Sequence, residues 1–376
     1  MADLPKRIAL VYDSVNKWGG AESVLLALHD LFPAAPLYTS VYDSAGAAWA
    51  SVFPQVIPSF LQKFPFAKSN REFYPWLTPL AFESFDFRGF DVVISVSSAD
   101  AKGVLTHPAT FHLNYCLTPT RYLWSHHDLY RRQLGQALGL LSRPVFGYLK
   151  KWDLVASHRP DAIVSISQTV SDRVKTFYGL DSPVVYPPVN ISDFSSPVPP
   201  PPGLSDFFLY LGRLVLYKRP DLVIQVFNQL NYPLVVAGTG RAESKLRRLA
   251  APHIHFTGFV TPAQKLSLLQ HCRALIFFHE EDFGLVSVEA QAAGRPVIAL
   301  NRGGAAETVV PGQTGILIDD SSPQALAAAV GSFNPAQFSP ELIRSHAQKF
   351  SRTRFQAEFV KIFTSQWKKY KNTSSF

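Results

Sequence analysis

Short apolar runs recur along the chain, each followed by a loop and then by apolar positions at helical spacing. Ile8 to Tyr12 is the first such run. After Gly19-Gly20-Ala21-Glu22, one helical face is marked by Val24, Leu25, Leu28 and Leu31. Tyr38 to Tyr42 and Gln55 to Ile57 predict shorter strands, and Phe90 to Ser95, Phe111 to Cys116 and Ala162 to Ile166 predict buried ones. Ser167 is placed to cap a helix from Thr169 to Tyr178, which Gly179 ends. The pattern restarts at Phe207 to Leu211, followed by a basic loop, Gly212 to Pro220, and a helix from Asp221 to Leu230. Leu234 to Ala237, His255 to Val260, Ala274 to Phe278 and Val297 to Leu300 predict further strands. Strands alternating with helices in this way predict an α/β chain with parallel sheets.

Two stretches break the rhythm. Phe60 to Phe87 is rich in Phe, Pro and Trp without a clean period, and predicts an irregular helical insertion. Pro187-Pro188-Val189 and Pro197 through Pro202 form a stiff segment between the two halves, the best candidate for an interdomain linker. At 376 residues, with 47% hydrophobic and 17% charged, the chain is long and apolar enough for two cores. From Arg354 to Lys371 a last helix is expected, with Phe355, Phe359, Ile362 and Phe363 on one face.

No apolar run reaches the length of a membrane span, and no signal-peptide core follows Lys6-Arg7, so a cytoplasmic location is expected. Cys116 and Cys272 are the only cysteines, too few for a disulfide framework or a four-cysteine metal site. The net charge of +8 calls for anionic partners or a solvated basic face. No helix-turn-helix, zinc-finger or aromatic RNA-binding pattern is present, which argues against nucleic acid. Lys63 to Lys68, Arg71 to Trp76 and Trp367 to Lys371 mix basic and aromatic residues. That mixture fits either the anionic surface of a membrane or solvated lysines with apolar stems.

The chemistry concentrates in His279-Glu280-Glu281-Asp282-Phe283-Gly284-Leu285-Val286-Ser287-Val288-Glu289. Glu281 is expected in the loop at the carboxyl end of a strand, and Glu289 about two turns into the helix that follows. The first helix amides, near Phe283 to Val286, can point at an anion, and the flanking carboxylates can accept hydrogen bonds from sugar hydroxyls. Paired glycines at Gly19-Gly20 allow a ligand close to the backbone. His107, His112, His126 and His127 match no metal-ligand spacing well.

Glu281-x7-Glu289, continued by Ala290-x-Ala292-x-Gly294-x-Pro296-Val297 and by Gly303-Gly304-x-x-Glu307, resembles the signature of retaining glycosyltransferase family 4. The resemblance implies the GT-B fold, two facing Rossmann-like domains with parallel sheets, acting on a nucleotide sugar. It places an N-terminal acceptor-side domain at 1–195, with the helix 354–376 packing back on it, and a nucleotide-sugar-binding domain at 196–353. Gly212, Arg213 and Lys218 are similar to the family's Arg-x4-Lys loop, which holds the donor diphosphate. By the same resemblance Glu281 holds sugar hydroxyls and Glu289 the ribose or its loop. Phe283, Gly284 and Leu285, with Gly19 and Gly20, complete the donor site, and the turn ending at Val260 lies against the base.

Thr118-Pro119-Thr120-Arg121-Tyr122 resembles a subgroup that includes mannosyltransferases of surface polysaccharide and O-antigen assembly. Arg121 then belongs to the acceptor side. That subgroup reads His before the Thr-Pro, where this chain has Leu117. The chain has no Asp-x-Asp, the usual metal motif of the other large glycosyltransferase class. The implied activity is metal-independent, cofactor-free transfer of a hexose with retention, mannose from GDP-mannose by best expectation, to a glycan or lipid-linked glycan. A GT-B-type sugar-nucleotide epimerase and a non-catalytic sugar-nucleotide-binding protein are the alternatives. A dinucleotide-dependent dehydrogenase is disfavoured, since no Gly-x-Gly-x-x-Gly follows the first strand.

Overall fold

The computed structural model describes residues 5–70, 73–125, 127, 142–194 and 196–373, without the side chains of 69 and 70. Arg71, His126 and the boundary residue Ser195, all named above, lie outside the described residues. The chain divides into two compact units, Met1–Pro187 with Phe355–Phe376, and Pro188–Arg354.

The first unit is built on β1 (Ile8–Tyr12), β2 (Leu37–Thr39), β3 (Val56–Pro58), β4 (Val92–Ser97), β5 (Phe111–Cys116) and β6 (Ala162–Ser165). They form one parallel sheet in the order β3-β2-β1-β4-β5-β6. The second unit carries β7 (Phe208–Leu211), β8 (Leu234–Ala237), β9 (Ile254–Gly258), β10 (Leu275–Phe277), β11 (Val297–Leu300) and β12 (Gly315–Ile318). Its parallel sheet runs β12-β11-β10-β7-β8-β9, the same winding repeated. In each sheet the order reverses between the unit's first and fourth strands, β1 and β4 or β7 and β10. Doubly wound sheets bind ligands outside the carboxyl ends of the strands at that reversal. Central strands β4, β5, β8, β10 and β11 are buried along their whole length; β8, β10 and β11 read as continuous apolar runs, while β4 and β5 also bury Ser95, Ser97, His112 and Asn114.

Local chemistry sets the helix ends. Ser167 accepts from the Val170 amide at the start of the helix Gln168–Tyr178, and Gly179 ends it at φ 72°. Thr261 and Gln264 form a reciprocal capping box at the start of Pro262–His271. The Phe- and Pro-rich stretch is irregular, with short helical turns at Phe60–Lys63, Ala67–Asn70 and Thr78–Glu83.

The long C-terminal helix, Arg352–Thr373, buries Phe355, Phe359, Phe363 and Trp367. Phe111 of β5 meets Phe363, Trp367 and Tyr370, and Tyr115 meets Phe355 edge-on at 5.8 Å. This changes one expectation. Trp367, 6% exposed, packs in the core and leaves a single wet face, with Lys368 and Lys369, at that end of the helix. Among the described residues no helix is long and apolar enough to cross a membrane.

Candidate functional site

In the second unit the loops after β7 and β10 meet at the reversal of strand order. β7 ends at Leu211, and Gly212 to Arg219 forms a loop with one short 3-10 turn, Leu216–Lys218. Pro220 then starts the helix Pro220–Leu230 at a position where its missing N–H costs nothing. β10 ends at Phe277, and His279 to Gly284 leads into the helix Leu285–Ala292. Because β7 and β10 are hydrogen-bonded neighbours, residues distant in sequence converge. Lys218 and Glu281 form a direct ion pair, both largely shielded from solvent.

Glu281 has a second partner, since His279 Nε2 lies 3.3 Å from the same oxygen, Oε1. Burial alone would raise the Glu281 carboxyl. The His279 hydrogen bond and the Lys218 charge outweigh it and hold the group well below the usual carboxylate range. Burial also pushes the His279 imidazole down, against the pull of Glu281. The ring packs on Phe277 at 4.4 Å and nears Tyr210 at 6.4 Å. Arg213 is exposed and donates to the Tyr217 hydroxyl at 3.1 Å.

The loop carrying Glu281 has a shape that only glycine permits. Gly284 sits at φ 82°, and a Cβ there would come within 2.8 Å of the Phe277 ring. Behind the loop, Gly304 N–H donates to the Glu281 carbonyl at 2.8 Å, and a Cβ on Gly303 or Gly304 would strike the backbone of Glu281 or Phe283. Phe283 is buried, while Leu285 opens the helix, its first amides at the carboxyl end of the sheet.

Glu289 lies just over one turn into that helix, not two, because the helix begins only at Leu285. Its carboxylate pairs with Lys265 Nζ at 2.7 Å, from the helix Pro262–His271. Val260 follows the edge strand β9 and is half-buried, next to the exposed ring of Phe259.

Gly19, Gly20 and Arg121 belong to the first unit. Gly20 caps the helix Ala21–Leu31, and Gly19 N–H donates to Glu22 Oε2 at 2.7 Å, so the loop's own glutamate fixes it. At this sheet's reversal Asp13 accepts from the amides of Ser98, Ala99 and Ala101 and from the Ser98 hydroxyl. Nearby, Lys102 Nζ meets Asp153 Oδ1 at 2.5 Å in a fully buried pair. Thr120, Trp124 and Tyr178 also donate to that carboxylate, at 2.6, 2.8 and 2.8 Å. The segment that carries Arg121 is thus anchored on both sides of it, at Thr120 and Trp124. His112 is buried against Ser95 at 2.8 Å, its pKa pushed down to about 3 by burial and the Arg159 charge. Among the described residues no group of three or more His, Cys, Asp or Glu could hold a metal ion.

Sequence reasoning gave no role to His279, Lys265 or Tyr217. His279 stood in the quoted stretch, but its direction follows from the turn after β10. Lys265 carries no local signal at all, since its partner lies on another helix.

Comparison with known proteins bears on this unit most directly. Residues 193–348 match the family model described as glycosyl transferases group 1. A D-inositol 3-phosphate glycosyltransferase of Xylanimonas cellulosilytica is 30% identical over 200 residues, covering 46% of this chain and 48% of the relative. A glycogen synthase of Mycobacterium tuberculosis is 30% identical over 215 residues, 54% of this chain and 51% of that one. The chain spans about half the length of these curated relatives. Among solved structures, Anabaena Alr3699/HepE in complex with UDP and glucose aligns over 96% of this chain and 100% of its own, with a TM-score of 0.70 at 16% identity. That likeness shows the fold. The stretch 193–348 is thus similar to the glycosyl transferases of group 1, on a chain that has the GT-B fold.

Proposed function

We propose that the protein transfers a hexose from a nucleotide sugar to a glycan or lipid-linked glycan, with retention and without a metal or other cofactor. The observation that carries the reading is the convergence of Lys218 and Glu281 at the strand-order reversal, beside the start of the helix Leu285–Ala292. In this reading Lys218 and Arg213 take the donor diphosphate, Glu281 accepts from the sugar hydroxyls, and Glu289 holds the ribose. The first helix amides, after Phe283 and Gly284, add donors to the anion. The bond from the anomeric carbon to the diphosphate breaks with its electron pair on the phosphate. The acceptor hydroxyl forms the new bond and gives its proton to a phosphate oxygen. Cations preorganised where that negative charge grows supply the catalysis.

GDP-mannose is the first donor of this reading, on the resemblance of Thr118 to Tyr122 to mannosyltransferases. UDP-glucose stands beside it, because the Anabaena structure is described with UDP and glucose. The names of the curated relatives, a glycosyltransferase and a synthase, favour transfer over epimerisation or binding alone. The first unit, with Arg121, takes the acceptor, and its exposed aromatic and basic patch brings the protein to an anionic membrane surface at its cytoplasmic face.

A thermal-shift panel of UDP, GDP, ADP and their sugars tests the donor, since ligands that bind only the folded state raise its melting temperature. One nucleotide series should shift it, and hexose release or transfer from that donor should persist in EDTA. No shift from any nucleotide overturns the reading. Activity lost on chelation and restored by Mn²⁺ or Mg²⁺ overturns metal independence.

A further inference from the structure

His279 stands two residues past the end of β10 with its side chain almost wholly shielded from solvent. Among the described residues, the Glu281 carboxylate has two side-chain partners, Lys218 and His279, and both meet Oε1. His279 makes its hydrogen bond to Oε1 alone, so the imidazole leaves Oε2 to accept from a ligand. A diphosphate carries more negative charge than one carboxylate and competes for the Lys218 ammonium. Once Lys218 turns to it, Glu281 keeps only the imidazole.

His279 also bears a cost that a purely packing residue would not. Its Nδ1 is buried without a hydrogen-bond partner among the described residues, although Phe277 and Tyr210 supply an apolar seat that a leucine would fill. Buried polar groups left unsatisfied in native proteins call for a reason beyond packing.

We propose that His279 is the positioning residue for Glu281, holding the carboxylate by Oε1 so that Oε2 faces the sugar of a nucleotide sugar after the diphosphate has drawn Lys218 away. The inference rests on the glycosyltransferase reading above. It assigns His279 no contact with substrate and no proton to transfer.

The test uses the full chain with UDP and UDP-glucose, and with GDP and GDP-mannose. His279→Leu should bind the nucleoside diphosphate within about twofold of wild type, because Arg213 and Lys218 remain. It should hydrolyse or transfer from the sugar nucleotide about tenfold more slowly, the worth of one hydrogen bond to a charged group. His279→Gln, which retains a donor, should recover most of that rate. Adding His279→Leu to Glu281→Gln should cost little further, since the two act through one carboxylate. Should His279→Leu not fold, His279→Asn, too short to reach Glu281, replaces it. Wild-type rates in His279→Leu, equal losses in the Leu and Gln variants, or full additivity with Glu281→Gln would overturn the inference while the enzyme reading stands. A wild-type protein that binds neither nucleotide overturns both.

Discussion

Lys218 Nζ is in ionic contact with Oε1 of Glu281, so the cation assigned to the donor's phosphates is paired with the carboxylate assigned to its sugar. The pair spans the reversal between β7 and β10. In the proposed reading, donor binding exchanges one anion for another at Lys218, which makes that residue the most informative one to change.

Lys218→Ala should lower kcat by about 10²–10³, the usual loss when one preorganised donor to a developing charge is removed. Lys218→Arg should recover only part, because a planar guanidinium cannot replace a compact ammonium at the same distance. Arg219→Ala is the matched control. Arg219 donates to the Ser321 carbonyl at 3.0 Å, so its loss should cost about 1 kcal/mol of stability and leave turnover near wild type. Equal turnover in the two alanine variants would misplace the diphosphate site.

Glu281 links the site to acid stability. Its folded-state pKa lies below the ordinary 4.5, so its contribution is fully present above that value and drains away as the pH falls further. Urea titrations of wild type and Glu281→Gln between pH 7 and 3 should show a shallower acid-side loss in the variant. Parallel curves would mean that the carboxylate is not held by its partners in solution.

The Lys102–Asp153 pair anchors the segment around Arg121. Burial works against the Lys102 charge, but Asp153 beside it outweighs burial and raises the ammonium's pKa. Lys102→Met would leave a buried carboxylate without its cation and should cost about 3–5 kcal/mol. Lys102→Met with Asp153→Asn should recover part of that, as read by chemical denaturation. A stable single variant would show the pair to be dispensable.

Membrane binding, if it supplies the acceptor, should come from the Phe-rich stretch. Phe66 and Trp76 are 74% and 48% exposed, near Lys63 and Lys68. Phe66→Ser with Trp76→Ser should reduce co-sedimentation with phosphatidylglycerol vesicles at low salt, and raised ionic strength should release the wild type. Trp367→Ala should instead lower the melting temperature, because that ring is in the core. No pelleting at low salt would remove the membrane from the reading.

The alternation of apolar runs with helical faces was legible because strands buried on both sides are mostly apolar, and a glycine or capping residue punctuates them. Ile8–Tyr12, Leu234–Ala237 and Val297–Leu300 appear in the sheets with the bounds their apolar residues suggest. Tyr38 to Tyr42 was less legible. Its strand, Leu37–Thr39, is short, and Val41 beyond it packs in a separate cluster with Leu61, Ala67 and Ala81.

What the sequence determined alone was local: which segments are strands, where helices are capped, and which loops carry cations, carboxylates and paired glycines. These follow from periodicity and backbone preference, and need no knowledge of distant neighbours. Only the tertiary structure decided which of those loops meet. The order β12-β11-β10-β7-β8-β9 puts β10 beside β7, and that adjacency brings Glu281 to Lys218 and leaves His279 behind it. The same holds for Lys265 with Glu289, and for Trp367 against Phe111. A side chain's partner across a fold depends on strand order and register, set by the summed packing of the whole sheet, and neither residue records it alone.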